Sequence, residues 1–436
     1  MYAALALFAV TYVLMLTFSK IRPYIALGSA ALFILTGMLP LGEIWGTGLN
    51  FNSLNVILMI AGTMGLVALF IESKMPELLA DLVMSCCPNV MVAAVALSLF
   101  AGIISAFVDN VATVLMIAPV ALEICKKLKT NPVPFIIAIA VSSNLQGAAT
   151  LVGDTTAIML GSALEMNFMD FFWYNGRPGM FFVVEIGAVI SALILAFLFR
   201  KERKKKVAKI TQFTKVTDYF PSILLVALLV LLIAASFVPN TPEITNGAIC
   251  CVLLLIGLVY TMIRKKSFKA IVAPIKEIDY QTILLLVGLF LMIGGISAQG
   301  VIDWLAQLLV KAGGGNLFLM YTVIVWASVV ISAFIDNIPY VATMIPVIGS
   351  ISLALSAQMG VDAGAIAVPL YFGLLSGATL GGNCTPIGAS ANITGIGILR
   401  KEGYTVKNGD FFKIGIPFTL AAIVPAYIII RLFFGV

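Results

Sequence analysis

Apolar runs of roughly 18–20 residues, each long enough as a helix to cross about 30 Å of hydrocarbon, recur along this chain between short charged loops. A backbone surrounded by lipid has no water to bond. It must satisfy its own N–H and C=O groups, and open runs of this length do so as α-helices. Composition agrees: 61% of the 436 residues are hydrophobic and 11% are charged, against about 25% charged in soluble domains. The expected fold class is an all-α polytopic membrane protein, with the lipid bilayer as its first partner.

Full spans are expected near 2–18, 23–41, 56–72, 132–152 and 178–199, then near 219–237, 246–263, 280–297, 366–386 and 412–434. The first run has no basic segment before it and is followed by Lys20 and Arg22 rather than a small-residue cleavage site, so it is expected to be a retained helix. The six cysteines include the adjacent pairs Cys86–Cys87 and Cys250–Cys251, without CxxC or Cys/His metal spacing. With no histidine in the chain, proton handling falls to carboxylates. The net charge of +6 sits in short loops, where it sets topology and does not point to nucleic acid.

One carboxylate-bearing phrase is written twice. SAFVDNVATVLMIAP (105–119) returns 227 residues later as SAFIDNIPYVATMIP (332–346). Each is preceded by an amphipathic segment, 75–87 and 301–313, expected to lie in the interface. The segments 90–125 and 316–352 are too long for one helix, and each is interrupted, at DNVAT and at DNIPYVAT. The first begins after Lys74 and ends at Lys126, Lys127 and Lys129, so both of its ends are expected on one face. It therefore reads as a re-entrant hairpin. A second duplication pairs SNLQGAATLVGDTTAI (143–158) with ATLGGNCTPIGASANI (378–393). Glycine, threonine and asparagine inside an apolar run make a poor helix, and they predict broken helices at 132–165 and 366–398 whose backbone faces a cavity.

Five crossings and one hairpin per half make the halves inverted, 1–210 against 211–436. With both termini extracytoplasmic, 23 of the 26 Lys and Arg fall on the cytoplasmic side, and only Arg177, Lys311 and Arg431 do not. Inverted repeats with paired broken helices are the sequence pattern of secondary transporters.

Two hairpin tips and two breaks are thus expected to converge. Asp109 and Asp336 stand at the tips beside Asn110 and Asn337. A carboxylate at the centre of a membrane helix costs about 2.5–3.5 kcal/mol, and this chain carries it at two matched places. Each Asp can cap the returning arm of its hairpin, and each can bind Na⁺ or a shuttled proton beside backbone carbonyls; the two roles are compatible. Thr113 adds a hydroxyl near the first tip, where the second has Tyr340. In the first break Asp154 follows Gly153, while its partner position is Ala389; Asp154 is a candidate for coupling to a proton or cation, or else forms a local Asx turn. Asn144, Thr150, Thr155, Asn383, Thr385, Ser390 and Asn392 supply uncharged donors and acceptors. Glu185, inside the fifth span, is either a proton relay or a buried interhelical hydrogen bond. Glu123 is expected to pair along its helix with Lys126 or Lys127. Cys384 is either a soft ligand or a small filler. No Lys or Arg is expected at the midplane.

At these phrases the sequence resembles the ion-transporter superfamily, in the branch that holds arsenite permeases, bacterial sodium–proton antiporters and the melanosomal P protein, related to citrate and dicarboxylate permeases. The likeness covers essentially the whole chain. It departs in the first break, where the branch commonly has Gly-Asp followed by two prolines and Asn, and this chain has Gly153-Asp154-Thr155-Thr156-Ala157. The resemblance implies an elevator: a transport domain (about 89–200 and 314–436) moving against a scaffold (about 1–88 and 216–313), often in a homodimer. It also implies a small-ion substrate, H⁺ or Na⁺ as coupling ion, no other cofactor, and the cytoplasmic membrane as location if the chain is prokaryotic. Arsenite/antimonite-type efflux or Na⁺/H⁺ exchange is the expected activity; a cation-coupled di- or tricarboxylate permease and a passive anion channel are the alternatives. An intramembrane enzyme is not expected, since no nucleophile–base pair or metal-ligand set is present.

Overall fold

The computed structural model describes residues 1–127, 130–207 and 213–435. Lys129 and the expected boundary between the halves at 210/211 lie outside the described residues. The first half runs α1 (Tyr2–Thr17), α2 (Arg22–Leu35), α3 (Phe51–Glu72) and a short α4 (Met75–Ser85). It continues with α5 (Val90–Ser105), α6 (Asn110–Lys127), α7 (Val133–Gly147), α8 (Thr155–Ala163) and α9 (Met180–Leu198). The second half follows the same order with one insertion. It comprises α10 (Phe220–Ser236), α11 (Thr245–Lys265), the short extra α12 (Val272–Lys276), α13 (Tyr280–Ala298) and α14 (Val301–Ala312). Then come α15 (Leu317–Ser332), α16 (Asn337–Met359), α17 (Ala363–Gly381), α18 (Ser390–Lys401) and α19 (Asn408–Phe434). Among the described residues the only strands are β1 (Trp173–Tyr174) and β2 (Arg177–Pro178), two residues each.

Packing partners exchange between the halves. The second helix of one half packs on the third long helix of the other: α2 on α13, and α11 on α3. Within each half, the first hairpin arm packs on the helix before the break, α5 on α7 and α15 on α17, while α9 and α19 pack on each other. In the middle lie α7 and α17, buried nearly all round. At the rim α9 exposes Phe182, Ile186, Val189, Leu193 and Phe197, and α10 exposes Ile223, Val226 and Val230. Such apolar stripes would be unstable in water and are at home against acyl chains. The angle between α14 and α15 is 114°, so α14 runs across the second hairpin rather than along it.

Two expectations need correction. Among the described residues, seven helices are long and apolar enough to cross a membrane alone: α3, α9, α11, α13, α16, α17 with its 3₁₀ extension, and α19. The expected spans at α1, α2, α7 and α10 are only 14–17 residues long, about 21–26 Å at 1.5 Å per residue. In the opposite sense α16, expected as a hairpin arm, has 23 residues. The hairpin interruptions also lie earlier than DNVAT and DNIPYVAT. They fall at 106–109 and 333–336, because Asn110 and Asn337 already begin α6 and α16.

Where each hairpin turns, it presses backbone against the break. A Cβ on Gly153 would stand 2.5 Å from the Gly147 carbonyl oxygen and 2.8 Å from those of Ser105 and Ala106. A Cβ on Gly388 would stand 2.6 Å from the Gly382 oxygen, 2.9 Å from that of Ser332 and 2.8 Å from that of Ala333. The same four positions meet in the same way in both halves. Hydroxyls lock the contact, since Thr150 donates to the Ala106 carbonyl and Thr385 to the Ala333 carbonyl. Gly153→Ala and Gly388→Ala should therefore each lower the unfolding midpoint in detergent, at a cost of at least the 1–3 kcal/mol typical of overpacking (about that scale). Gly397→Ala, which meets nothing within 4 Å, should leave the midpoint unchanged.

Candidate functional site

Both tip carboxylates cap the arm that follows. Asp109 Oδ2 accepts from the Val111 and Ala112 N–H groups at 3.0 and 3.2 Å, and Asp336 Oδ1 accepts from the Ile338 N–H at 3.1 Å. A helix start leaves its first N–H groups without partners, which is why Asp is placed there. Asn110 and Asn337, one residue on, are buried. Thr113 is fully buried and its hydroxyl has no protein partner among the described residues. At its twin position Tyr340 instead bonds Ser328, hydroxyl to hydroxyl, at 3.0 Å.

Asn144, in the last turn of α7, joins three elements. Its Oδ1 accepts from Asn110 Nδ2 at 2.9 Å; its Nδ2 donates to the Thr379 carbonyl at 2.7 Å and to Asn383 Oδ1 at 3.1 Å. Asn383 Nδ2 in turn donates to the Val141 carbonyl at 2.9 Å, and Ser143 donates to the Asn110 carbonyl at 3.1 Å. Asp154 is buried at the start of α8 without capping it. Its Oδ2 accepts from the Thr156 hydroxyl at 3.0 Å and from Asn337 Nδ2 at 3.4 Å. The first break is thereby tied to the tip of the second hairpin.

One cavity of about 120 Å³ collects much of this chemistry. It is lined by Asp109, Asn110, Asp154, Thr155, Asn337 and Ser390, with Met64 and Val67 of α3 forming an apolar wall. Glu277, Asp279 and Thr282, from the approach to α13 and its first turn, line it as well. The remaining candidates serve elsewhere. Thr150 and Thr385 hold the hairpin turns, and Asn392 donates to the Gly382 and Thr385 carbonyls at 2.9 and 3.0 Å. Gly153 admits the crossing backbone. Asn144 and Asn383 sit behind the cavity wall rather than in it. Cys384 is half-buried and does not line the cavity.

Asp336 is set apart. It does not line the cavity, and the Arg22 guanidinium lies 3.4 Å from its Oδ2. No Lys or Arg was expected at the midplane where the tips were placed; at the second tip this does not hold, because the short α2 begins at Arg22 and delivers it there. Glu277 and Asp279 were missed because acidic residues after a basic loop look like ordinary surface charge; their place ahead of α13 was the available signal. Glu185 is half-buried and has no hydrogen-bond partner among the described residues, contrary to the interhelical bond weighed for it. Glu123 pairs with Lys127 at 2.7 Å as expected, whereas Lys126 reaches across to Glu402.

Comparison with known proteins agrees with the fold. The family described as "CitMHS: Citrate transporter" matches residues 12–373. An uncharacterized transporter of Mycobacterium tuberculosis is 29% identical over 429 residues, which is 98% of this chain and 96% of that protein. A 46 kDa membrane protein of Mycobacterium leprae is 30% identical over 322 residues, 73% of this chain and 72% of the other. The human P protein is 27% identical over 393 residues, covering 74% of this chain and 46% of that longer protein. Among solved structures, the YdaH transporter of Alcanivorax borkumensis aligns with a TM-score of 0.62 at 13% identity, over 93% of this chain and 89% of that one. MtrF of Neisseria gonorrhoeae, from a class of antimetabolite efflux pumps, aligns at 0.53 and 14% identity over 95% and 85%. At such identities these two show the fold alone.

The Asn144 network makes a direct prediction. Asn144→Ala leaves buried partners on α6 and beyond α17 unpaired, at about 1–3 kcal/mol for such a group. The midpoint should fall clearly in a thermal scan, while Asn408→Ala, at the exposed first position of α19, should not move it.

Proposed function

Because the chain belongs to the citrate transporter family, we propose that it is an ion-coupled secondary transporter that loads a small cation at Asp109 and Asp154. The observation that carries this is the cavity's charge: Asp109, Asp154, Glu277 and Asp279 line it, and among the described residues no Lys or Arg does. Low-dielectric walls lined by one sign of charge concentrate the opposite ion. A volume of about 120 Å³ exceeds the roughly 10–15 Å³ that one water needs, so a cation can enter with water around it. Cation–proton exchange is the activity that fits best. A di- or tricarboxylate comes second, favoured by the family's description. Such an anion would have to enter with cations of its own, since the cavity walls offer none. Arsenite-type efflux draws on resemblance only, and the cavity has no thiol.

We take the halves to be inverted repeats and the motion to be an elevator. The exchange of packing partners between halves and the twin glycine crossings support the first. Packing within α5–α9 and α15–α19, and within the α2–α13 and α3–α11 pairs, is denser than that of α3 on α8 or of α13 on α16, which supports the second. With the basic loops cytoplasmic, Glu277 and Asp279 stand at the cytoplasmic mouth of the cavity, which makes this an inward-facing arrangement in the cytoplasmic membrane.

The test uses purified protein in liposomes with a pH dye inside, an imposed proton gradient and a pulse of Na⁺. Dye recovery that is lost in Asp109→Asn is the expected result; no recovery in the wild type, with uptake of labelled citrate instead, would replace exchange by the second activity. Unitary currents would show a channel. Neutralising the mouth with Glu277→Gln and Asp279→Asn should slow exchange about tenfold at low salt, the low end of electrostatic steering. The difference should vanish near 1 M salt, where the screening length falls to about 3 Å.

A further inference from the structure

Asp109 and Asp336 are twins in sequence and opposites in surroundings. Asp109 lines the cavity; its mapped bonds are to backbone N–H groups, and no Lys or Arg lies within salt-bridge distance among the described residues. Asp336 turns away. Its Oδ2 accepts from the Ser390 hydroxyl at 3.2 Å and faces Arg22 Nη1 at 3.4 Å, while Oδ1 is taken by the Ile338 N–H. The side chains of Arg22 and Asp336 are only 23% and 14% exposed.

The arginine is built into place. Arg22 opens α2 with Pro23 behind it, and its Nε donates to the Met15 carbonyl at 3.1 Å. Beside it, the Tyr12 hydroxyl donates to the Pro339 carbonyl at 2.6 Å and also meets the Thr343 hydroxyl, so α1 grips the same arm. The first tip has no counterpart. α11, which packs on α3 as α2 packs on α13, opens with Thr245-Asn246-Gly247.

Resting on the transport reading above, we infer that Arg22 is a tethered cation that stands in for a mobile one at Asp336, leaving Asp109 and Asp154 as the carboxylates that exchange cations with the cavity. A guanidinium is a fixed positive charge, and it occupies the place beside Oδ2 that a mobile cation would take. Asp336 becomes free only if α2 and the second hairpin separate. Arg22 acts through Asp336 and is a positioning residue.

The test compares wild type, Arg22→Gln, Arg22→Lys and the double variant Arg22→Gln/Asp336→Asn. A membrane-permeant carbodiimide, followed by peptide mass spectrometry, should modify Asp109 and spare Asp336 in the wild type and in Arg22→Lys, and should modify Asp336 in Arg22→Gln. Modification of Asp336 in the wild type, or none in folded Arg22→Gln, overturns the inference; should Arg22→Gln fail to fold, the wild-type pattern still decides. In the liposome assay the Hill coefficient for Na⁺ should rise in Arg22→Gln, by at most about one for the site added, since it is bounded by the number of sites. It should return to the wild-type value in the double variant, an effect that mere loss of a structural contact would not produce. Wild-type liposomes that ignore Na⁺ would sink the exchange reading alone, because the labelling pattern does not depend on transport.

Discussion

Two backbones can cross at van der Waals contact only where one of them has no side chain, and this molecule is arranged around two such crossings. The carbonyls of Ser105 and Ala106 lie against Gly153, and those of Ser332 and Ala333 against Gly388. A helix cannot run through the point where another segment's carbonyls occupy its surface, so α7 and α17 stop there and resume as α8 and α18. Stopping frees polar backbone, which in an apolar surrounding must find partners. The threonines and asparagines of the two breaks supply them. Carboxylates, cavity and network all follow from that first close approach.

Much of this was legible in the sequence because the physics demands unusual residues at fixed places. Glycine, threonine and asparagine inside an apolar run stand out, as does an Asp repeated in a phrase otherwise made of aliphatics. The hairpins and breaks could be placed on that ground, and the structure has helices interrupted there. Boundaries were less legible. DNVAT looks like a break because it is polar, yet an Asp cap makes the next residue helical, and the true turn is the apolar AFV before it. Span lengths misled for a related reason: helices that pack inside a bundle, such as α7, need not be as long as those that face lipid.

Arg22 escaped because its partner is 314 positions away and a basic residue near a span end has a sufficient explanation in topology. Nothing local marks it as different from Lys20. Glu277 and Asp279 escaped because exposed acids are common, and only the fold shows that they overlook Asp109 and Asp154. The twin positions also carry unlike chemistry, with Asp154 facing Ala389 and Asn144 facing Thr379 across the repeat. The candidate site is therefore composite, with donors and charges divided between the two halves.

The Asn144 network has a consequence for how the protein is made. Asn144 completes its bonds only with Thr379 and Asn383, 235 and 239 positions later in the chain. At about 5–20 residues per second of synthesis, the first half waits on the order of tens of seconds in the bilayer with buried amides unpaired. During that interval it has no native partner for its most polar surface. The nascent chain must be sheltered by the insertion machinery, by lipid headgroups or by water until the second half arrives. Truncation anywhere before residue 379 then produces a fragment with exposed intramembrane polar groups, which is the kind of surface that membrane quality control is positioned to recognise.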